Sequence, residues 1–373
     1  MGILVRRAAA DAAYRRRFSF REALTTVVDT SARNRDPVER VFVFLREHVG
    51  DIVNSTAALR CLRQRFPTAY LCVEVGERAA PVLQNFPGID EVWIRPTHQG
   101  LWGKIRFLRR LRRGRFDLAV ILDDSADMVL HAWLGGIPLR FGVSRKRKFR
   151  RLYTAFVPHD PSRHETLDHF RDLVALLGAD TSDYRPRLYP LREDAAKAEA
   201  ALQLAGWDGQ APLVGIHPGA SRPHRQWFPD RFAQVCDALS EQGISCVLLG
   251  GPGDEALAEE ILAHCHCQPL VLTGRLTILQ LAALMPLLRT LVTADSGPMH
   301  IAAAMGTRVV AIYGPSDPTY TGPFGEGHIL LRHPEACVGC SAEQCVQERK
   351  CMRRISVEEV VEAVTQLVGL SGR

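Results

Sequence analysis

The sequence lacks any long uninterrupted run of apolar residues, although hydrophobic residues make up 46% of the chain. No stretch approaches the roughly 18–20 apolar residues that a helix needs to cross a bilayer. The first twenty residues also lack the continuous apolar segment of a secretory signal, because five arginines interrupt them. We therefore expect the protein to remain in the cytoplasm.

A disulfide framework is missing as well. The chain has ten cysteines, but a cytoplasmic protein of this size does not usually form disulfides, and six of the ten are scattered. His264 to Cys267 are expected at a helix end and a strand start. The other four cysteines have the spacing C-x2-C-x4-C-x5-C and are Cys337, Cys340, Cys345 and Cys351. Such a group can bind zinc or iron, but we favour packed, reduced thiols.

Repeats and low-complexity tracts are also absent, whereas charge is distributed unevenly. Residues 1–190 contain 33 Lys and Arg against 21 Asp and Glu, and the remainder contains 14 against 20. A basic first half suits an anionic partner, which can be a nucleic acid, a phosphorylated acceptor or an acidic membrane surface. A solvated basic surface is the simpler alternative. The dense runs Arg106–Arg115 and Arg145–Arg151 favour a partner.

The order of apolar and helical segments predicts an α/β protein with two domains. In the second half, strand-like runs such as PLVGI, SCVLLG and TLVTAD alternate with helical stretches, which is typical of a doubly wound parallel sheet. We place the domain boundary near the proline-containing segment Arg185–Leu191. The predicted parts are a basic extension (1–38), a first α/β domain (39–188), a second α/β domain (189–355) and a C-terminal helix (356–373) that begins with a Ser356–Glu359 capping box.

The strongest local motif is TADSGPMHIAAAMGT, residues 293–307. A strand ends near Asp295, a tight turn follows, and a helix opens near Pro298. Such a turn directs backbone N–H groups and the positive end of the helix dipole at a ligand, which favours a diphosphate. The alternative is an ordinary connection in which Asp295 merely caps the helix.

Two further strand-end loops carry ligand-binding residue types. The loop after PLVGI contains hydroxyl and guanidinium groups, at Ser221 and Arg225, that suit phosphate. The loop GGPGDE places Glu255 after a glycine-rich turn, where an acid can bind a ribose or simply start a helix. In the first half, Asp51 follows the first strand and is either a general base or the N-cap of a helix starting at Ile52.

Together these motifs resemble the bacterial heptosyltransferases of glycosyltransferase family 9, which build the inner core of lipopolysaccharide. The resemblance extends from about Val41 to Ile355. Its most specific part is DSGPMHIAAAMGTRVVAIYGPSDP, residues 295–318, and HPGAS…RQW, LLGGPGDE and the first-strand GD pair occur in the right order. The resemblance implies the GT-B fold, in which two Rossmann-like, doubly wound domains face a cleft.

The resemblance also implies roles for individual residues. Asp51 matches the catalytic base that takes the proton from the acceptor hydroxyl during inverting attack. Arg225 matches the basic residue that neutralises the donor diphosphate, and His48 lies where a serine often contacts the sugar or phosphate. The remaining donor positions are Ala220 and Ser221 (phosphates), Glu255 (ribose), Leu276 (adenine), Asp295 (sugar), and Ser296, Gly297 and Met299 (phosphate-facing backbone).

The activity implied by the resemblance is transfer of a heptose from ADP-heptose to a lipopolysaccharide inner-core or related glycolipid acceptor. No cofactor or metal is expected, because Arg225 and the helix terminus can stabilise the leaving diphosphate. The alternatives are another sugar, a protein acceptor, or a nucleotide-sugar-binding protein without activity, although a binder would need no base. A nucleic-acid partner is not expected, since it would leave three phosphate-type loops without a purpose. The basic runs predict peripheral, salt-sensitive binding to an anionic membrane surface.

Overall fold

The computed structural model describes residues 38–95, 100–123, 125–333, 345 and 348–370 of the 373-residue chain. The predicted basic extension therefore lies almost entirely outside the described residues, as do Cys337 and Cys340. Within the described part, none of the helices is long and apolar enough to cross a membrane.

The first half forms a parallel sheet of six strands, in the order β3-β2-β1-β4-β5-β6. The strands are β1 (Arg40–Leu45), β2 (Tyr70–Gly76), β3 (Glu91–Arg95), β4 (Leu118–Leu122), β5 (Leu139–Ser144) and β6 (Ala155–Pro158). The α-helices are α1 (Val49–Arg65), α2 (Leu101–Arg113), α3 (Ala126–Leu134) and α4 (Leu167–Leu176), and 3-10 helices cover Ala80–Leu83 and Arg147–Leu152.

The second half forms another parallel sheet of six strands, in the order β12-β11-β10-β7-β8-β9. Its strands are β7 (Leu213–His217), β8 (Ser245–Leu248), β9 (Leu270–Val271), β10 (Thr290–Ala294), β11 (Val309–Tyr313) and β12 (Ile329–Arg332). Its α-helices are α5 (Arg192–Leu204), α6 (Pro229–Ser240), α7 (Glu255–His264), α8 (Ile278–Leu284), α9 (Gly297–Ala304), α10 (Pro318–Thr321), α11 (Lys350–Arg353) and α12 (Val357–Leu370), with 3-10 helices at Pro223–Arg225 and Met285–Leu287.

The predicted fold class is confirmed, because both sheets have the doubly wound Rossmann-like strand order. Central strands such as β4 and β10 are buried along their whole length, as expected for a sheet covered by helices on both faces. Residues 179–191, which contain the predicted boundary, carry neither helix nor strand. The predicted capping box is present, since the Ser356 backbone N–H donates to Glu359 Oε2 at 2.8 Å and Ser356 Oγ accepts from the Glu359 N–H at 3.2 Å.

Candidate active site

Three loops of the second half meet at one edge of its sheet. They follow β7, β8 and β10, which are neighbours in the strand order, and the carboxyl ends of parallel strands lie at the same edge. A Cβ atom added to Gly219, in the first loop, would lie 3.1 Å from Asp254 Oδ1 in the second. The loops that the sequence predicted for the donor are therefore brought together.

Arg225 and Asp295 form an ion pair between two of these loops. The Nη1 atom of Arg225 lies 3.0 Å from Asp295 Oδ2, and the Thr321 hydroxyl donates to the same oxygen at 3.3 Å. Asp295 is only 7% exposed, and burial raises its pKa, while the charge of Arg225 opposes that rise. The alternative in which Asp295 caps a helix is wrong, because Ser296 occupies the N-cap position of α9.

The start of α9 is supported by a small polar cluster. Ser296 makes no capping hydrogen bond. Instead its Oγ lies 2.9 Å from Thr293 Oγ1 and 3.3 Å from His217 Nδ1. Burial lowers the pKa of His217 to about 4, so the imidazole is neutral at physiological pH. The first turn of α9 thus begins without a side chain capping its backbone N–H groups, which suits an anionic ligand.

Met299 and Gly297 have different environments within this turn. The Met299 side chain is completely buried and its sulfur accepts a hydrogen bond from the Tyr313 hydroxyl at 3.4 Å. The Met299 side chain is therefore not available to a ligand, and the predicted contact through its backbone stays a prediction. Gly297 faces the first half, where a Cβ atom would lie 3.2 Å from Val49 Cβ in α1.

Helices α1 and α9 therefore cross at close range between the two halves. A Cβ atom on Gly50 would lie 2.5 Å from His300 Cδ2, so only glycine fits there without a shift. Below this contact, Asn54 Nδ2 lies 3.4 Å from His300 Nδ1 and donates to Thr166 Oγ1 at 3.0 Å. Burial lowers the pKa of His300 to about 3, so its ring packs as a neutral group.

Asp51 lies in the first turn of α1, next to this crossing. Helix α1 begins at Val49 with His48 as its N-cap, so the alternative in which Asp51 is the N-cap is wrong. The Asp51 side chain is 23% exposed, and its Oδ2 lies 3.7 Å from Arg46 Nη1. Asp51 therefore follows Gly50 directly, at the end of α1 that contacts α9. His48 is exposed at the same rim.

A polar network that the sequence analysis missed joins the two halves. Glu165 Oε1 lies 2.9 Å from Arg46 Nη1 and 2.7 Å from Arg145 Nη2. Arg145 also donates to the Tyr320 hydroxyl, which lies 2.9 Å from His159 Nε2. Tyr320 follows the most specific motif by two positions, and nothing in that motif indicated the contact. The network connects the surroundings of Asp51 to the segment that holds Asp295.

The loop after β7 contains a second group that was not assigned a role. His224 is 6% exposed, and neither of its ring nitrogens has a hydrogen-bond partner among the described residues. Ala220 is half-buried and Ser221 exposed in the same loop. Buried polar atoms usually have partners, so this imidazole is available to a ligand in the loop.

The loop after β8 leads to Glu255, and the segment after β9 contains Leu276. Glu255 is the first residue of α7, and its Oε2 accepts from the Gly253 N–H at 2.6 Å. A Cβ atom on Gly274 would lie 2.5 Å from Glu255 Oε1, so the segment after β9 passes directly beside this carboxylate. Leu276 lies in that segment and is half-buried. The segment that contains Leu276 therefore passes beside the Glu255 carboxylate.

The fold and the site together define a GT-B type of molecule with a polar cleft between two Rossmann-like domains. Residues 104–351 match the family model of glycosyltransferase family 9 (heptosyltransferase). The chain belongs to this family, and is therefore a glycosyltransferase.

Individual relatives agree with this assignment. The chain is 30% identical over 338 residues to lipooligosaccharide heptosyltransferase 2 of Campylobacter jejuni, which covers 88% of this chain and 99% of the relative. The structure of a family 9 glycosyl transferase from Veillonella parvula superimposes with a TM-score of 0.79 at 27% identity, covering 90% and 99% of the two chains. The Escherichia coli ADP-heptose lipopolysaccharide heptosyltransferase II gives 0.72 at 24% identity, covering 90% and 100%, and supports the fold.

Proposed function

We propose that this glycosyltransferase transfers a heptose from ADP-heptose to a lipopolysaccharide inner-core or related glycolipid acceptor, with Asp51 as the general base. The observation that carries the proposal is the contact between α1 and α9, in which Val49 and Gly50 lie against Gly297 at the uncapped start of α9. Asp51 is the next residue of α1, and its side chain is partly exposed. The family supports sugar transfer, and the names of the relatives support heptose and a lipopolysaccharide acceptor.

The donor lies, in this proposal, along the three loops of the second half. Its diphosphate meets the backbone of Ser296, Gly297 and Met299 together with Arg225. Ala220, Ser221 and the buried His224 complete the phosphate contacts, because they belong to the adjoining loop. Glu255 binds the ribose, and Leu276 packs near the adenine. Asp295 contacts the sugar, and His48 approaches it from the rim of the first half.

The reaction follows from these positions. Asp51 accepts the proton of the acceptor hydroxyl while that oxygen forms a bond to the anomeric carbon. The bond from the anomeric carbon to the diphosphate oxygen breaks, and ADP leaves with the bonding electron pair. Attack from the face opposite the leaving group inverts the configuration. Arg225 and the start of α9 stabilise the negative charge on the departing diphosphate.

Replacement of the base tests the proposal. Asp51→Asn should reduce turnover by roughly 10²- to 10⁴-fold, the range expected when a general base is lost, with little change in the affinity for ADP. Glu47→Gln is the matched control, since Glu47 is an exposed carboxylate four positions earlier in the same segment. An Asn variant that keeps more than half of the turnover would show that Asp51 is not the base.

The identity of the sugar is tested separately by a thermal-shift screen of nucleotide sugars. A donor present at 100 times its Kd should stabilise the native protein by about 2.7 kcal/mol. ADP-heptose should give the largest shift. A larger shift with another nucleotide sugar would favour the alternative in which the enzyme transfers a different sugar. Transfer from the preferred donor to a glycolipid and to a protein acceptor can then be compared.

The surface of α2 supports a further part of the proposal, peripheral binding to an anionic membrane. Trp102 is 77% exposed, and the exposed Arg106, Arg109 and Arg113 follow it at helical spacing on one face. An aromatic ring beside basic side chains is the composition of helices that bind membrane interfaces. The second basic run contributes less, because Arg145 is engaged in the network with Glu165 and Tyr320.

A further inference from the structure

A group of metal-ligating side chains lies in the second half, away from the cleft. Asp237 is near the end of α6, Cys265 follows the last residue of α7, and Cys267 precedes β9. Each offers one ligand atom, and these atoms all lie within 4.8 Å of one another. All three residues are half-buried. The sequence analysis expected this stretch at a helix end and a strand start, which is where it lies.

The carboxylate of Asp237 organises the group. Its Oδ1 accepts from the backbone N–H groups of His266, at 2.9 Å, and Cys267, at 2.8 Å. Its Oδ2 lies 3.0 Å from His266 Nδ1. Burial opposes ionisation of Asp237, but the hydrogen bonds from Cys267 and His266 prevail and lower its pKa to about 2.

Two more thiols extend the group into the core. Cys236, next to Asp237 in α6, is fully buried and hydrogen-bonded to the thiols of Cys265 and Cys246. Cys267 in turn is hydrogen-bonded to Asp237. Close packing of four thiols and a carboxylate is more than a hydrophobic contact requires, since a buried cysteine needs no polar partner.

We propose that this cluster binds one thiophilic divalent cation, represented by Zn²⁺. Cys265, Cys267 and Asp237 supply three ligands, and the buried thiol of Cys236 contacts that of Cys265 behind them. Sulfur and carboxylate oxygen are ligands of tetrahedral zinc sites. His266, hydrogen-bonded to Asp237, holds the carboxylate in the orientation that a ligand needs.

Binding of the cation requires the thiols to lose their protons, which pass to the solvent.

The position of the cluster indicates a structural role for the cation. Helix α7 has ten residues, about 15 Å at 1.5 Å per residue, with Glu255 at one end and Cys265 just beyond the other. The cation would join the ends of α6 and α7 to the segment before β9, which is the part of the molecule that carries two donor loops at the opposite edge. It would not touch the reacting groups.

Zinc titration of the full-length protein tests this proposal. The wild type is compared with Cys265→Ser/Cys267→Ser and with Cys337→Ser/Cys340→Ser, which removes two thiols from the other cysteine-rich segment. Binding is measured by competition with a chromophoric chelator, and Co²⁺ absorption reports thiolate ligation. The first variant should lose one equivalent of bound Zn²⁺ relative to the wild type, and the second should retain that equivalent.

Affinity for ADP distinguishes loss of the cation from misfolding. A correctly folded variant should bind ADP as the wild type does, and a misfolded one should not. Asp237→Asn provides an independent measurement that keeps all the thiols, and its affinity for Zn²⁺ should fall about tenfold or more. Equal stoichiometry and affinity in the wild type and in Cys265→Ser/Cys267→Ser would overturn the proposal. So would loss of the equivalent only from Cys337→Ser/Cys340→Ser.

Discussion

The two halves of the molecule have the same strand order but differ in the length of the equivalent connection between the first strand and the first helix. In the first sheet, only residues 46–48 separate β1 from α1. In the second, residues 218–228 separate the corresponding strand β7 from α6. The short connection places charged side chains and Asp51 directly at the cleft. The long one provides backbone, hydroxyl and guanidinium groups over a wider area, as a diphosphate requires.

The comparison shows how two domains with the same fold can have different functions. The sheets supply equivalent edges, and the loops at those edges decide the chemistry. In the proposed mechanism, the first half activates the acceptor and the second half holds the donor. Changes in the two halves should therefore affect different measured quantities, turnover in one case and donor affinity in the other.

In donor affinity, the largest difference between changes in the two halves is expected at Arg225. Arg225→Ala should weaken binding of ADP and ADP-heptose by about 10- to 150-fold, because it removes a charge-assisted contact of about 1.5–3 kcal/mol. Asp51→Asn should leave the same affinities nearly unchanged. Titration calorimetry on both ligands measures the difference.

The matched control for this change is Arg222→Ala, an exposed arginine in the same loop, which should have a smaller effect. Arg225→Lys, which keeps a charge near Asp295, should fall between the wild type and the alanine variant. Wild-type affinity in Arg225→Ala would place the phosphate site elsewhere and remove the proposed division of tasks.

A moderate effect is expected where the halves touch. Tyr320→Phe removes the hydroxyl that contacts Arg145 and His159, and turnover should fall about two- to twelvefold, which corresponds to a hydrogen bond of about 0.5–1.5 kcal/mol. Tyr70→Phe is the control within one half, because its hydroxyl bonds Glu91 in the adjacent strand at 2.7 Å. Steady-state kinetics and thermal unfolding of both variants are compared.

The two tyrosine variants should lose similar stability but differ in turnover. If Tyr70→Phe reduces turnover as much as Tyr320→Phe does, the contact between the halves has no special part in the reaction.

The smallest effect per residue is expected at the membrane surface. Arg109→Ala should weaken binding to anionic vesicles about fivefold, since one basic residue near such a surface contributes about 1 kcal/mol. Arg275→Ala, a change at an exposed arginine of the acidic half, should have little effect. Co-sedimentation across a salt series should show release of the protein from the vesicles at ~0.5 M salt, where the Debye length is about 4–5 Å.

Neutral vesicles serve as the reference for this measurement and should bind weakly. Equal binding to neutral and anionic vesicles, or none to either, would assign the arginines of α2 to the acceptor or to the solvated surface.

The sequence was sufficient for the parts of the molecule that local patterns determine. The parallel sheets and the Ser356 capping box were predicted from apolar patterns and cap residues, and the structure has both. Less was predictable at the start of α1, because His48 makes no side-chain cap and the Val49–Gly50 pair gives no start signal.

The site was predictable only where its residues belong to one loop. The donor loops were located because each has its own turn and residue types. The contact between Arg145 and Tyr320 joins residues 175 positions apart, and no local pattern records such a pair. The missing hydrogen-bond partners of His224 likewise become visible only when the loop is folded.

The glycine at position 50 has a mechanical consequence for the cleft. Helices α1 and α9 touch there with no space for a methyl group. If the helices stay in contact, any rotation of one half against the other therefore takes place about this contact. Rotation about a point moves nearby atoms little and distant atoms much. Opening of the cleft by such a rotation would therefore widen its far rim, while the distance between the starts of α1 and α9 would stay almost constant.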